Sequence, residues 1–300
     1  MASELAYTGA RRIEPALVLV AGAIVLGASG RWLARHGVLR APVLRTRGVN
    51  LVATRGSATP RLWLCAHIDT KSQLVPTLIR SAGIVMATIG YVVALALSVA
   101  IAWGWAIHPV WWVFAALVTL AGAVPVMLSV TTFGSPGALD NASGVATVML
   151  AASRTLDGEL GVLITDAEEL GLAGARAWSA RTGGDAVILN CDGVDDHGRI
   201  FAMYSGKTPR ALLDAIAAAS SASGIAIETT RLVPGLLTDS VAFADAGIAT
   251  VTFMRGTWRS LARVHSRRDD MTRLAGTGIA ETATLMAHTL RVLGKGDTTR

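Results

Sequence analysis

The stretch Asp166-Ala167-Glu168-Glu169-Leu170-Gly171-Leu172-Ala173-Gly174 follows an apolar run, Gly161-Val162-Leu163-Ile164, that reads as a buried strand. Two adjacent carboxylates at a strand's end, with glycines opening a helix behind them, are an uneasy choice for a fold. They repel, and burying both costs roughly several kcal/mol each unless something positive lies between them. One reading is a solvated turn whose acids sit at a helix N-terminus. The other is a metal ligand beside a general base, and it requires partners elsewhere in the chain.

Such partners stand at or just beyond other strand-like runs. Arg61-Leu62-Trp63-Leu64-Cys65-Ala66 runs into His67-Ile68-Asp69, and Ala186-Val187-Ile188-Leu189-Asn190 ends at Asp192. The run from Ile248 to Met254 precedes a loop carrying His265, and Asp140 opens a helix reaching about Leu156. Further helices are expected over 172–181, 209–221, 238–246 and 277–293, and strands over 50–54, 199–204 and 225–228. Alternating strands and helices imply an α/β fold with a mixed, largely parallel central sheet flanked by helices. In such sheets the carboxyl ends of the strands are where sites form. Taken singly, each candidate also has a structural reading: a turn cap for Asp192, a solvated loop position for His265.

The composition places this domain at a membrane. Of 300 residues, 52% are hydrophobic and only 16% charged, with a mean hydropathy of +0.50. That excludes an ordinary soluble enzyme and points to membrane spans. The net charge of +6 comes mostly from arginines flanking apolar stretches, not from basic runs interleaved with aromatics, so nucleic acid is not the expected partner. Two cysteines, Cys65 and Cys191, are too few for a disulfide framework and read as small buried strand residues.

Between Arg80 and Asp140 there is no Asp, Glu, Lys or Arg. This length holds two spans, expected over 81–102 and 110–130, with Trp103, Trp105, Trp111 and Trp112 as the aromatic belt at the turn. The uncharged segment 16–29 is read as an anchor helix, its rival being a cleaved leader. Arg31, Arg35, Arg40, Arg45 and Arg47 follow it, against Arg11 and Arg12 before it, which puts the next domain on the cytoplasmic face of the cell membrane. The expected organisation is a tail and anchor helix (1–38), a catalytic domain (39–78 and 132–300) and a transmembrane hairpin inserted within it (79–131).

The order of motifs resembles the co-catalytic zinc aminopeptidases, metallopeptidase family twenty-eight. The resemblance runs through His67-Ile68-Asp69, Gly137-Ala138-Leu139-Asp140-Asn141-Ala142-Ser143-Gly144, Glu168-Glu169-Leu170-Gly171, Leu189-Asn190-Cys191-Asp192, Thr238-Asp239-Ser240 and His265-Ser266 before Asp269. It implies two zinc ions, one held by His67, Asp140 and Asp192, the other by Asp140, Glu169 and His265. It further implies Glu168 as general base and Asp69 as the residue orienting His67. Peptides or small amides would be substrates, and the lipid bilayer a further partner. Three departures stand out. The transmembrane hairpin separates the bridging Asp140 from His67, where the family keeps the two close. Val264 occupies the place of a tyrosine that stabilises the oxyanion in some members, leaving Tyr204 or an arginine as a substitute donor, and Arg267 stands where proline is common. Three readings are weighed: a membrane-anchored di-zinc exopeptidase, a zinc amidase or glutaminyl-cyclase-like enzyme, and a non-catalytic docking module.

Overall fold

The computed structural model describes residues 2–33, 36, 47–182, 185–233 and 236–295. Arg35, Arg40 and Arg45 of the basic flank lie outside them. The chain divides into two compact units, residues 1–37 with 73–132 and residues 38–72 with 133–300.

The first unit is helical. Helix α1 spans Ala2–Trp32, so the polar residues before the apolar segment are helical too, with Pro15 inside. Helices α2 (Thr77–Ala102) and α3 (Pro109–Met127) form the hairpin. All three are long and apolar enough to cross a membrane, the window in α1 being Arg12–Trp32. α2 starts four residues before the expected Ser81, because Pro76 sets the entry and Arg80 is carried within the helix. The α2–α3 contact depends on small residues. A Cβ on Gly90 would meet Thr119 Oγ1 at 2.4 Å, and one on Gly122 would meet the Ala87 backbone nitrogen at 2.3 Å. Small residues at these positions let the two helix backbones approach closely. The Tyr91 hydroxyl donates to the Leu19 carbonyl, joining α2 to α1.

The second unit is an α/β sandwich. Its strands are β1 (Leu51–Arg55), β2 (Leu62–His67), β3 (Leu160–Thr165), β4 (Val187–Val194), β5 (Arg199–Tyr204), β6 (Ile227–Arg231) and β7 (Ala249–Gly256). They form one sheet in the order β1-β3-β2-β4-β7-β5-β6. The four central strands are mutually parallel, β1 is an antiparallel edge, and β5 runs antiparallel to β7. Alternation along β2 shows how both faces fill: Leu64 and Ala66 enter one core, Trp63 and Cys65 the other. Helices α4 (Ser143–Arg154), α6 (Arg210–Ser223) and α9 (Thr277–Lys295) cover the first face. Helices α5 (Ala173–Ser179) and α7 (Asp239–Asp245) cover the second, where Trp178 stacks edge-on against Trp63 and Phe243, with ring centroids 5.0 and 5.7 Å away. A four-residue helix, α8 (Trp258–Leu261), follows β7. Cys65 and Cys191 are free and buried.

Three expectations shift. Asp140 does not open a regular helix: Asp140 and Asn141 have non-helical backbone angles, their peptide is cis, and α4 starts at Ser143. Leu172 is left-handed, with φ 62°, so α5 starts one residue later than expected. The strand expected over 225–228 lies at Ile227–Arg231, paired to β5.

Candidate metal centre

Sequence-distant loops converge at the carboxyl ends of β2, β3, β4 and β7. His67 is the last residue of β2, and a register that pairs Cys65 with Asn190 sets it level with Asp192 in β4. Glu168 and Glu169 follow β3 in a tight loop closed by backbone bonds from Gly171 and Leu172 to the Glu168 carbonyl and from Gly174 to the Asp166 carbonyl. Among the described residues, the non-glycine positions with positive φ are Ala167, Leu172 and His265, all in loops of this site. A left-handed alanine or histidine is disfavoured by about 1–2 kcal/mol, so surrounding bonds must hold these turns.

Asp140 lies between the histidines. Its Oδ1 is 3.2 Å from His67 Nε2, and its Oδ2 is 2.9 Å from His265 Nε2. His67 Nε2 is also 3.6 Å from Asp192 Oδ1, and His265 Nε2 is 2.9 Å from Glu169 Oε1. Potential ligand atoms of His67, Glu168 and Asp192 lie within 4.8 Å of one another, as do those of Asp140, Glu169 and His265. All seven residues singled out in sequence are therefore in one place.

Asp69 stands beside His67 and also reaches the glutamate loop. His67 Nδ1 faces the Asp69 backbone carbonyl at 3.0 Å, while the carboxylate stands 3.6 Å off. That carboxylate accepts the backbone N–H groups of Glu168 and Glu169, at 2.9 and 3.1 Å. Asp269 does the same for the bridging loop. Fully buried, it accepts the N–H of Leu139 at 2.6 Å and of Asp140 at 3.1 Å. The Asn141 side chain ties that loop to β4, donating to the Cys191 carbonyl and accepting from Gly193. Lys71 is a further residue that sequence reading passed over; its ammonium pairs with Glu169 Oε2. Tyr204 is excluded as an oxyanion donor. Met203 is level with Thr252 and Asn190, so Tyr204 lies two strands over and on the order of 10 Å toward the opposite end from Asp192. Its ring packs on the core with Arg231 over it.

The electrostatics follow from burial. Burial alone would lower His265, but Asp140 and Glu169 outweigh it and raise it to about 9. Burial likewise disfavours charge on His67, yet Asp140, Asp192 and Asp69 lift it well above its usual value. Asp140, despite its burial, is held well below the carboxylate range by the two histidines. Burial pushes Glu168 well up, against the pull of His67, with Asp192, Asp239 and Glu169 adding to the rise. Asp239, buried and bonded by the Thr165 hydroxyl, is pushed to about 7 chiefly by burial.

The donor set fits a divalent ion. Two imidazoles and several carboxylates are the ligands borderline metals such as zinc take. Glu169 Oε1 is buried with no hydrogen bond directed at it, although His265 Nε2 is 2.9 Å away.

Residues 124–290 match the model of peptidase family M28, and the chain belongs to this family. No curated protein matches it. Among solved structures, the aminopeptidase from Aneurinibacillus sp. strain AM-1 is 18% identical with a TM-score of 0.52, over 80% of this chain and 47% of that one. BSAP, a zinc aminopeptidase from Bacillus subtilis, is 16% identical with a TM-score of 0.51, over 80% of this chain and 49% of that one. The LapA aminopeptidase of Legionella pneumophila is 13% identical with a TM-score of 0.52, over 98% of this chain and 69% of that one. The chain spans about half the length of the first two. At these identities the likeness concerns the fold: a mixed sheet, largely parallel at its centre, between helices.

Proposed function

We propose that the chain is a membrane-anchored, two-zinc exopeptidase of the aminopeptidase type. The observation that carries this reading is the Asp140 carboxylate, with one oxygen toward His67 and the other toward His265. His67, Asp140 and Asp192 would hold one ion, and Asp140, Glu169 and His265 the other. A zinc pair supplies a nucleophile at neutral pH and polarises the scissile carbonyl. Glu168 is the base. Burial disfavours its charged form, so it takes a proton from the attacking water and gives it up to the leaving amine. Asp69 keeps Glu168 and Glu169 divided in role by fixing both backbone N–H groups, so one side chain serves the proton and its neighbour the metal.

Anchoring is supported by the three apolar helices. Ile84, Ile89, Phe114 and Leu117 are all exposed, and leaving such surface in water costs about 25 cal/mol per Å². The arginine excess after the first helix favours a cytoplasmic catalytic unit. The test is hydrolysis of an aminoacyl-arylamide panel by the purified full chain, with and without chelator. Activity lost with chelator and restored by zinc is expected. Hydrolysis indifferent to chelator removes the metal from the reaction. A single zinc per active chain favours the amidase or cyclase reading.

A further inference from the structure

Past β7 the chain turns into α8 and then into the loop that carries His265, on the same sheet edge as the metal centre. The short helix is built the wrong way round for a water-facing surface. Its capping box joins Thr257 and Ser260, and Ser260 points inward, donating to the buried Asp195 carboxylate at 2.7 Å. Trp258 and Leu261, three apart and so on one side of the helix, point out; Trp258 is 66% exposed. Met271 is exposed further along. The same segment exposes Arg259, Arg267, Arg268 and Arg273, and Arg259 lies over the Trp258 ring, 5.3 Å from its centroid. Its acids offset little of this. Asp269 is buried on the N–H groups of Leu139 and Asp140, and Asp270 caps the turn at Thr272. Exposed tryptophan beside exposed arginine is the composition of a membrane-surface segment, in which the ring enters the headgroup layer and the guanidinium meets lipid phosphate.

We infer that this face of the catalytic unit docks on the anionic headgroup surface of the bilayer. The inference rests on the membrane-anchored reading and extends it from the helices to the unit that carries the metal centre. Two observations select a bilayer as the occupant. The first is charge. From Thr257 to Arg273 arginines outnumber acids five to two, and near an anionic leaflet each basic residue strengthens attachment by roughly fivefold. The second is the path of the chain. Arg267 packs over Gly134, its Nε 3.6 Å from where a Cβ would lie, and Ser72 Oγ meets the same point at 3.4 Å. Ser72 and Gly134 flank the excursion of the chain into the helical hairpin, and Phe133, beside Gly134, is fully exposed. Helix α2 begins at Thr77, five residues past Ser72. A chain advances at most about 3.6 Å per residue, so covalent length alone ties this point to within roughly 18 Å of the helix start. A nucleic acid or a soluble acidic protein would match the charge but has no such tether. His265 lies inside the docked segment, so lipid contact steadies the loop that brings one histidine to the centre.

The test is hydrogen exchange of the full chain in nanodiscs of phosphatidylcholine alone and with about 30% phosphatidylserine. Peptides covering 257–273 should exchange at least about threefold more slowly in the anionic discs, while those covering 210–231 stay unchanged. The slowing should disappear in about 0.5 M salt, which screens exposed charge. It should also disappear in a protein carrying Trp258→Ser, Arg259→Gln and Arg268→Gln, all at exposed positions outside the metal centre, with circular dichroism unchanged. Equal exchange in the two discs overturns the inference, as does slowing that survives the salt or the substitutions. So does equal slowing of the detergent-solubilised chain by soluble glycerophosphoserine, which would mark a headgroup pocket and not a surface. Exchange needs no turnover, so the result is independent of the peptidase reading. If the chain does not enter the discs, it is the anchoring reading that fails. Sedimentation with preformed vesicles of the same two compositions then decides the face on its own: binding confined to the anionic vesicles supports it, and no difference overturns it.

Discussion

The Asp69 carboxylate accepts the backbone N–H of Glu168 at 2.9 Å, and its second oxygen takes the N–H of the next residue. Two residues past one histidine of the centre, Asp69 thus fixes the loop that carries both glutamates. Asp269, four residues past the other histidine, fixes Leu139 and Asp140 in the same way. Each histidine loop supports a carboxylate loop by a pair of bonds to backbone.

Asp69→Asn replaces one acceptor oxygen with a donor, so one of the two N–H bonds must be lost. Groups that orient a metal site typically matter about 10–100-fold. We expect kcat to fall in that range while the chain stays folded, read by steady-state kinetics beside circular dichroism. Unchanged kcat would mean that the glutamate loop holds itself.

Asp269→Ala strips two buried N–H groups of their acceptor, each worth about 1–3 kcal/mol when left unsatisfied. The expected result is a lower unfolding midpoint together with loss of metal, measured by denaturant titration and elemental analysis. A stable variant that keeps its metal contradicts the role given to Asp269.

Stability of the chelator-treated protein should depend on pH. In the absence of metal, His265 is raised from 6.5 to about 9: burial opposes this, but Asp140 and Glu169 prevail. A raised folded-state value means stabilisation that is complete below pH 6.5 and is lost as pH climbs through about 9. Thermal midpoints should therefore drop across that window, on the order of several °C. With zinc bound as proposed, the imidazole would already be deprotonated and the slope should vanish. A midpoint that rises over the same interval would count against the His265 environment described above.

Gly90→Val tests the helical hairpin. Its Cβ would press on Thr119 at 2.4 Å, forcing α2 and α3 apart. The detergent-solubilised chain should lose about 1–3 kcal/mol, the usual cost of overpacking. An unchanged melting curve would show that the two helices do not pack there.

The readable part of the centre is the part that periodicity exposes. His67 and Asp192 end apolar runs, and an apolar run predicts a strand whose carboxyl end sits at the site. The two long helices of the hairpin were legible because the 59 residues between Arg80 and Asp140 carry no charge. Asp140 was misplaced onto a helix, since the residues after it do form one and nothing in Asp-Asn announces a non-helical turn. The part played by Asp69 was hidden for another reason: its partners are backbone N–H groups about one hundred positions away, which no spacing records. Lys71 was passed over because a lysine two after an aspartate is an ordinary surface pattern until the fold turns it onto Glu169. Tyr204 failed as an oxyanion donor because β5 runs antiparallel to β7, which carries the end of β5 away from the site.

Zinc counted per chain is the most direct measurement of the central claim, that one carboxylate serves two ions. The unsubstituted protein should carry about two, His265→Ala about one, and Asp140→Ala about none, since Asp140 would belong to both sites. An Asp140→Ala protein that is folded and still holds two zinc ions would contradict the account.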